Sequence, residues 1–426
     1  MIHICEPQCK NGSHESFNSG FLHGLWKEYS EISFYAEKTH IQYIKAYLQL
    51  RGSQSLDNIL YKEIQFPATI YDSGRILFYN RIFKNILNKT SKNDKILFLS
   101  ITPLALFILH FLGKKRKDIT FNVVLHGGIE ELTSILLPKL EPYLSKPKER
   151  GQTKQIARKS FWARISSMPK KLFAFKKKNE KRFIKTNVAI FNSIFNYRNF
   201  FSKNRDLSSF NFIVMSKHIM KNLDIENKTF KKKLCYLPCI FPQKKSSVVN
   251  DYPKFAIFGY GADNGFFEDF LEQLDILNPS KNYEVRLIST RGYSGIAKYK
   301  NITLNKNSFV PRPEYEKMAE DIDYFLNFYD PSQYRLSCSG SVIEAVMYRK
   351  PVIYLGNESY DSFNSLAGPI GIRAGTIENF AAIIFNIIET WPQELQNILK
   401  FKENIENVIE IIDISKQLKN DKLILA

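Results

Sequence analysis

Two side chains that can accept a proton follow the first apolar run of the chain. His14 and Glu15 lie in a glycine-containing loop, EPQCKNGSHES, directly after the run Ile2–Cys5. In a parallel α/β sheet, such a loop leads from a strand to a helix at the edge where substrates bind. A histidine or a carboxylate at this edge can take the proton of an attacking hydroxyl group. Either residue is a candidate base; the alternative is that Ser13 merely caps the first helix.

A third candidate, His126, ends an apolar run in the stretch VVLHGGIEEL and has two glycines after it. This position predicts a histidine at the same sheet edge as the first loop. There it either contacts a substrate or is a structural histidine with satisfied hydrogen bonds. Glu130 and Glu131 follow at the start of a predicted helix, where the helix dipole alone explains an acid.

The second half of the chain contains a helix start suited to an anion. Ser339, Gly340 and Ser341 open a predicted helix after an apolar strand. The N–H groups and the dipole at a helix start favour an anion such as a diphosphate, and Gly340 lets it approach closely. Glu344, one turn later, either binds a ligand or forms a capping box with Ser341, which would satisfy the amides of the helix itself.

A glycine-rich turn, GYGADNG, follows another predicted strand and contains Gly259 and Gly261. These glycines permit a tight turn with exposed amides, but the turn has no cation. Arg291, in STRGYSG, and Arg312 are the nearest candidates to supply a positive charge for an anionic ligand. Each is equally compatible with an ordinary surface arginine.

We expect no metal site. The triplet Asp321–Asp323 resembles a metal-binding DxD motif, but it begins an apolar strand rather than ending one. Cys5 and Cys9, like Cys235 and Cys239, are spaced more widely than the CxxC pairs of structural zinc sites. The five cysteines are an odd number scattered over the chain, which favours a reducing compartment over a disulfide framework.

Short apolar runs alternate with helix-like stretches along both halves of the chain. The predicted strands are residues 2–5, 32–35, 96–100, 121–126, 188–191, 212–216, 255–258, 284–289, 302–304, 322–328 and 351–355. Continuous apolar strands separated by helices indicate parallel sheets that are covered on both faces. We therefore predict an α/β protein with two Rossmann-like, doubly wound domains that face each other across a cleft.

The length of 426 residues supports two domains, because single hydrophobic cores stop growing at about 250–300 residues. We predict an N-terminal domain over residues 1–243, a polar linker over 244–252 and a C-terminal domain over 253–390. Residues 391–426 are predicted to form helices that pack back on the N-terminal domain.

The positive charge is concentrated in one segment. The chain carries a net charge of +19, and residues 145–185 contain 15 Lys and Arg against two acids, interleaved with aromatic and aliphatic side chains. Such a segment can lie on an anionic membrane surface, track a nucleic-acid backbone or be a solvated insertion. We favour the membrane.

The most apolar run, residues 96–112, is too short for a span and predicts a strand followed by a helix. The first residues have no secretory leader pattern, so a cytoplasmic location is expected.

One stretch, DIDYFLNFYDPSQYRLSCSGSVIEAVMYRKPVIYL, resembles the nucleotide-sugar-binding domain of GT-B glycosyltransferases, families 1 and 4 in particular. The resemblance implies a donor nucleotide held by the second domain and an acceptor held by the first. It implies that Glu344 accepts hydrogen bonds from ribose hydroxyls and that His126 lies near a pyranose. Two features depart from many retaining members. Leu336 stands where they have a second glutamate, and the turn GYGADNG lacks their Arg and Lys.

We therefore predict a hexosyltransferase that uses a nucleoside-diphosphate sugar, needs no metal or other cofactor, and inverts the anomeric centre. The expected acceptor is a glycan or a lipid-linked sugar of cell-surface polysaccharide synthesis, with residues 145–185 at the inner face of the membrane. Two alternatives remain open. One is a nucleotide-sugar 2-epimerase of the same fold, and the other is a non-catalytic protein that binds polyanions or membranes; nucleic acid is the less favoured polyanion.

Overall fold

A computed structural model describes residues 1–26, 28–52, 57–66, 72–125, 196–203, 206–223, 234–236, 250–258, 265–288, 299, 301–304, 310–413 and 417. The basic segment 145–185, the predicted strand 188–191 and most of the predicted linker lie outside these residues.

Within the described residues, the first half of the chain forms a seven-stranded sheet. Its strands are β1 (Ile2–Cys5), β2 (Ile32–Glu37), β3 (Ile59–Ile64), β4 (Lys95–Phe98), β5 (Phe121–Val124), β6 (Phe210–Val214) and β7 (Leu234–Tyr236). The spatial order is β3-β2-β1-β4-β5-β6-β7, and every neighbouring pair is parallel. The chain therefore winds outward in both directions from β1 and β4.

The second half forms a six-stranded sheet with the same plan. Its strands are β8 (Lys254–Phe258), β9 (Glu284–Ile288), β10 (Ile302–Leu304), β11 (Tyr324–Asn327), β12 (Val352–Leu355) and β13 (Gly371–Ala374). The order is β10-β9-β8-β11-β12-β13, again with parallel neighbours only. Two doubly wound sheets confirm the predicted fold class.

Helices cover both sheets. The described helices are α1 (Glu15–Leu25), α2 (Lys38–Leu50), α3 (Asp72–Lys89), α4 (Pro103–Gly113), α5 (Tyr197–Lys203), α6 (Lys217–Asn222), α7 (Phe266–Leu277), α8 (Arg312–Glu320), α9 (Gly340–Met347), α10 (Glu358–Ala367), α11 (Ile377–Glu389) and α12 (Leu395–Ile412). Local chemistry explains their starts. The Thr102 hydroxyl accepts a hydrogen bond from the Ala105 amide, and Pro103 follows at the first turn of α4.

The buried residues recur along the chain with the spacing that helices and strands require. In α7, Phe267, Phe270, Leu271 and Leu274 recur every three or four residues and are buried against α11. Strand β3 differs, because only Ile59 and Ile64 at its two ends are buried. It is an edge strand with polar residues between these ends, and for this reason it lacks the continuous apolar run that marks the central strands.

The C-terminal helix α12 packs on α9 and α10 of the second domain, and Arg349 pairs with Glu406 of α12 at 2.6 Å. Its return to the N-terminal domain stays a prediction. In the described part of the chain, no helix is long and apolar enough to cross a membrane.

Direct contacts join the two domains near α6. His218 Nε2 donates to the carbonyl oxygen of Tyr334 at 2.8 Å, and the hydroxyls of Ser216 and Ser362 lie 2.5 Å apart. The carboxyl ends of both sheets thereby line one cleft. In doubly wound sheets, ligands bind at this edge, beside the point where the winding direction reverses.

Candidate functional site

Two adjoining cavities occupy the cleft between the domains. The larger has a volume of about 530 Å³ and the smaller about 370 Å³. Gly12, Glu15, Arg312 and Glu344 line both cavities, so the two domains supply two residues each to the shared wall. Both are lined mainly by apolar surface, but the smaller has the larger polar share; we call the larger cavity the apolar slot and the smaller the polar chamber.

The first loop delivers Glu15 and His14 to the cleft. Helix α1 begins at Glu15, and His14 is its N-cap residue, with a left-handed φ of 55° and no side-chain capping hydrogen bond. The alternative in which Ser13 caps this helix is therefore wrong. A non-glycine residue in the left-handed region is uncommon and is often found at functional sites. Here it turns the start of α1 toward the second domain.

Glu15 is a half-buried carboxylate whose pKa lies above that of an ordinary glutamate. Burial raises the pKa of Glu15 to about 7; the charge of Arg312 opposes this rise, and the charges of Glu316 and Glu344 add to it. Gly12 leaves room for this side chain, because an added Cβ would come within 3.1 Å of the Glu15 carboxylate and 3.2 Å of the Tyr43 ring. A carboxyl group with this pKa exchanges protons near neutral pH, as a general base must.

Of the two cleft cavities, His14 lines the polar chamber and not the apolar slot. Its Nδ1 lies 3.4 Å from the Cys9 sulfur. Although its side chain keeps contact with solvent, the surrounding protein lowers the pKa of His14 below the ordinary value, and the nearby Glu6 carboxylate opposes that effect. His14 is therefore neutral at physiological pH and remains an alternative base.

A buried network below this loop was not anticipated from the sequence. Glu6 follows β1 and is completely buried; it accepts hydrogen bonds from the Ser100 hydroxyl after β4 and from Asn18 Nδ2 at 3.3 Å. Asn18 also contacts His40 Nε2 at 2.9 Å, and His40 Nδ1 donates to the Asn11 carbonyl at 2.8 Å. The sequence feature that could have revealed this network is Glu6 itself, an acid immediately after the buried strand β1. The network holds the loop that carries His14 and Glu15.

The predicted helix start in the second domain is confirmed. Ser339 is the N-cap of α9, and its hydroxyl accepts a hydrogen bond from the Ser341 amide at 3.2 Å. Gly340 is exposed in the polar chamber, and nothing lies within 4 Å of where its Cβ would be. The Ser341 hydroxyl contacts the Tyr329 hydroxyl at 3.0 Å. A ligand can therefore approach the backbone at Gly340 closely.

The proposed capping box is wrong. Glu344 does not fold back to the start of α9; its carboxylate accepts hydrogen bonds from Arg312 Nη1 at 3.2 Å and from the Tyr315 hydroxyl. Glu344 is thus held in the cleft by α8, the neighbouring helix. Its position leaves it accessible from both cavities.

Arg312 connects the two domains. Its guanidinium group donates to Glu316 at 3.0 Å and to the Tyr348 hydroxyl at 3.0 Å, and Nη2 lies 3.4 Å from the Tyr47 hydroxyl of the first domain. Arg51, at the end of α2, forms an ion pair with Glu316. Together these charged groups form the cleft cluster, which consists of Glu15, Arg51, Arg312, Glu316 and Glu344.

Asp321 and Asp323 lie at the opposite edge of the second sheet, before β11. Asp321 pairs with Lys254 at 2.9 Å and with Arg286 at 2.7 Å, and Arg286 also pairs with Glu284 at 2.8 Å. Asp323 accepts hydrogen bonds from the Lys254 amide and from Asn250. We call Lys254, Glu284, Arg286 and Asp321 the amino-end cluster. The described residues contain no group of three or more acids, histidines or cysteines arranged to hold a metal ion.

His126, Gly259, Gly261 and Arg291 lie outside the described residues, and their roles stay predictions. The remaining predicted site residues, His14, Glu15, Ser339, Gly340, Ser341 and Glu344, are brought to the cleft from both domains; Ser339 is buried beneath it as the cap of α9. Sequence reasoning missed Tyr47, Arg51 and Glu316, because their positions on α2 and α8 look like ordinary helix surface.

Solved structures share this architecture over the full chain. A mutant of S. aureus TarM in complex with Fondaparinux, alpha-GlcNAc-glycerol and UDP has a TM-score of 0.55 at 10% identity and covers 100% of this chain and 99% of its own. A glycosyltransferase from Rickettsia africae ESF-5 gives 0.53 at 13%, covering 100% and 98%. The lipopolysaccharide outer core galactosyltransferase WaaB gives 0.52 at 12%, covering 98% of both chains. No protein-family model matches the chain, and no curated protein matches it in sequence. The chain therefore has the GT-B fold.

Proposed function

We propose that the protein is a glycosyltransferase that takes its sugar from a nucleoside-diphosphate donor. The observation that carries this proposal is the facing pair of carboxylates in the cleft. Glu15 of the first domain and Glu344 of the second line the same two cavities, with Arg312 hydrogen-bonded to Glu344. The GT-B fold supports the assignment, because its two domains place a donor and an acceptor on opposite walls of such a cleft.

The donor is held by the second domain. Glu344 accepts the ribose hydroxyls, and the start of α9 at Gly340 and Ser341 receives the diphosphate through its amides and dipole. Arg312 supplies positive charge next to this helix start, which compensates for the turn 259–265 without a cation. The sugar then lies in the polar chamber, opposite His14 and Glu15.

Glu15 is the base of the reaction. It takes the proton of the acceptor hydroxyl while that oxygen forms a bond to the anomeric carbon of the donor. The bond between the anomeric carbon and the phosphate oxygen breaks, and its electron pair leaves with the nucleoside diphosphate. The start of α9 and Arg312 stabilise the charge that develops on this leaving group. Attack from the side opposite to the leaving group inverts the anomeric centre.

Two observations favour inversion over retention. Leu336, which stands where many retaining enzymes have a glutamate, is fully buried in the hydrophobic core and presents no carboxylate to the cleft. The groups able to accept a proton, Glu15 and His14, come from the first domain and face the start of α9 across the polar chamber. No metal is required by this scheme.

The transferred sugar is a hexose, and the acceptor is a glycan or a lipid-linked sugar of cell-surface polysaccharide synthesis. Support for this finer assignment comes from what the similar structures are named for, a lipopolysaccharide outer core galactosyltransferase and a protein solved in complex with alpha-GlcNAc-glycerol and UDP. The acceptor enters the polar chamber from the first domain.

Residues 145–185 attach the protein to the inner face of the cytoplasmic membrane. Their 15 basic residues and interleaved aromatic groups support this role, because cations contact lipid phosphates while aromatic rings enter the interface. Intact protein should float with vesicles that contain anionic lipid, and protein without residues 145–185 should not. Equal flotation of both proteins would contradict the attachment.

The test of the proposed function is a calorimetric and thermal-shift screen against UDP, GDP, CDP, dTDP and CMP. A ligand present at 100 times its Kd stabilises the native state by about 2.7 kcal/mol. We expect one nucleotide to bind, Glu344→Ala to abolish its binding, and Glu268→Ala to leave it unchanged. Glu268 is the matched control, because it is an acid in the first turn of α7.

The outcome also separates the alternatives. Release of an epimerised sugar from the donor without any acceptor would favour the 2-epimerase. If no nucleotide binds and residues 145–185 bind polyanions with a steep salt dependence, the non-catalytic alternative is correct.

A further inference from the structure

The apolar slot is built by both domains, and its first-domain wall is one face of α2. Tyr43, Ala46, Tyr47 and Leu50 recur at intervals of three, one and three residues, which places them on one side of a helix. Tyr43 and Leu50 expose 39% and 46% of their surface. Tyr47, between them, is buried, so helix α2 presents Tyr43, Ala46 and Leu50 as an uncovered apolar stripe to the slot.

The opposite wall comes from the second domain. Ile288 ends β9, and the segment Val310–Pro313 precedes and opens α8. These residues are apolar apart from Arg312, which lies with Glu344 at the end shared with the polar chamber. The slot is thus apolar along its length and charged at one end.

We propose that the face of α2 formed by Tyr43, Ala46 and Leu50 is part of the donor site and covers the nucleobase in the apolar slot. This inference rests on the proposed function. A ribose bound at Glu344 can extend its base into either cavity. The polar chamber contains the start of α9 and the candidate bases, which suit the diphosphate and the sugar. The base therefore occupies the apolar slot, where the exposed ring of Tyr43 can stack on it, as aromatic side chains do on any base.

A clasp beside the slot holds α2 in place over the base. Arg51 pairs with Glu316 of the second domain, and both side chains are close to fully buried. The guanidinium groups of Arg51 and Arg312 lie 4.9 and 5.1 Å from the centre of the Tyr47 ring, so this ring is contacted by one cation from each domain. Arg51 and Tyr47 of the clasp lie at the end of α2, the same helix that covers the base. When the two domains close on each other, α2 therefore completes the nucleoside site.

The test measures the Kd of the nucleoside diphosphate that binds best and, separately, that of inorganic pyrophosphate. We expect Tyr43→Ala and Leu50→Ala each to weaken nucleotide binding about tenfold and to leave pyrophosphate binding unchanged. Tyr252→Ala is the matched control for Tyr43, because Tyr252 is equally exposed at 37% but lies outside the slot. Tyr43 and Leu50 are partly exposed, so the melting temperatures of the variants should match that of the unaltered protein.

The results separate this inference from the proposed function. If Glu344→Ala abolishes nucleotide binding while both α2 variants bind like the unaltered protein, the covering role of α2 is wrong and the proposed function stands. If the α2 variants weaken nucleotide and pyrophosphate binding equally, α2 does not contact the base and the inference is also wrong. If the unaltered protein binds no nucleotide, both proposals fail.

Discussion

The second domain carries a charged cluster at each end of its sheet, and the two differ in how acids and cations are matched. The amino-end cluster has two acids and two cations, all within one domain. The cleft cluster has three carboxylates and two arginines, drawn from both domains. Ion pairs with Lys254 and Arg286 hold the pKa of Asp321 below its ordinary value despite partial burial, whereas burial raises the pKa of Glu15 to about 7.

This difference favours a structural role for the amino-end cluster and supports the role that we propose for the cleft cluster. Where each carboxylate has its own cation, the charges are satisfied and the proton equilibrium lies far from neutral pH. Where a carboxylate is buried among others with too few cations, it keeps a proton until near pH 7 and can transfer it. The fold thus places more carboxylates than cations in the cleft, and equal numbers of each at the other edge of the same sheet.

The largest expected effect is the loss of turnover in Glu15→Gln. Removal of the base should lower turnover by about 10²–10⁴, because positioned proton transfer contributes that factor. Turnover is measured as release of nucleoside diphosphate from the donor. Asp321→Asn, the matched change in the amino-end cluster, should leave turnover within about twofold. A normal rate in Glu15→Gln together with a loss in His14→Gln would assign the base to His14 instead.

Turnover should also depend on pH. Glu15 acts as a base only when ionised, and its pKa is about 7, so turnover should fall about tenfold per pH unit below this value. The measurement is turnover from pH 5.5 to pH 8.5 under donor saturation. A flat profile across this range would contradict the role of Glu15.

The clasp should contribute to donor binding by an intermediate amount. Arg51→Glu should weaken nucleotide affinity about tenfold, because it removes the cation that pairs with Glu316 and adds a fourth carboxylate to the cleft cluster. The double variant Arg51→Glu, Glu316→Arg should recover part of this loss. Arg116→Glu is the control, since Arg116 pairs with Asp118 on the exposed surface of the first domain. Failure of the swapped pair to recover any affinity would show that Arg51 and Glu316 do not act together.

The smallest effects concern stability, and their signs should differ between the clusters. In the folded protein Glu15 keeps its proton up to about pH 7, whereas in the unfolded chain it ionises near pH 4.5, its ordinary pKa. The free energy of unfolding therefore falls as the pH rises through this range. Glu15→Gln should therefore raise the melting temperature at pH 8 by about 2 °C or more. Asp321 has a lowered pKa, and its stabilising effect is present at neutral pH and lost on acidification. Asp321→Asn should cost about 0.5–1 kcal/mol at pH 7. Shifts of the same sign would contradict the comparison.

Prediction from sequence succeeded where a local pattern is sufficient. The bounds of β1 and β10 agree with the predicted ones, because a short apolar run followed at once by a polar residue identifies each of them. It missed β3, β7 and β13, three of the four strands at the outer edges of the two sheets; the fourth edge strand, β10, was predicted. Edge strands are buried less and carry polar residues, so their composition resembles that of loops.

The sequence by itself determined the two doubly wound domains and the residues at the starts of α1 and α9, because periodicity and helix-start chemistry are local. The tertiary structure decided how those residues are used. It turned Glu344 toward Arg312 instead of the cap of α9, and it brought Arg51 and Tyr47 of one domain onto Arg312 and Glu316 of the other. The pKa of Glu15 follows from this assembly, since it depends on burial and on charges about 300 residues away in the chain.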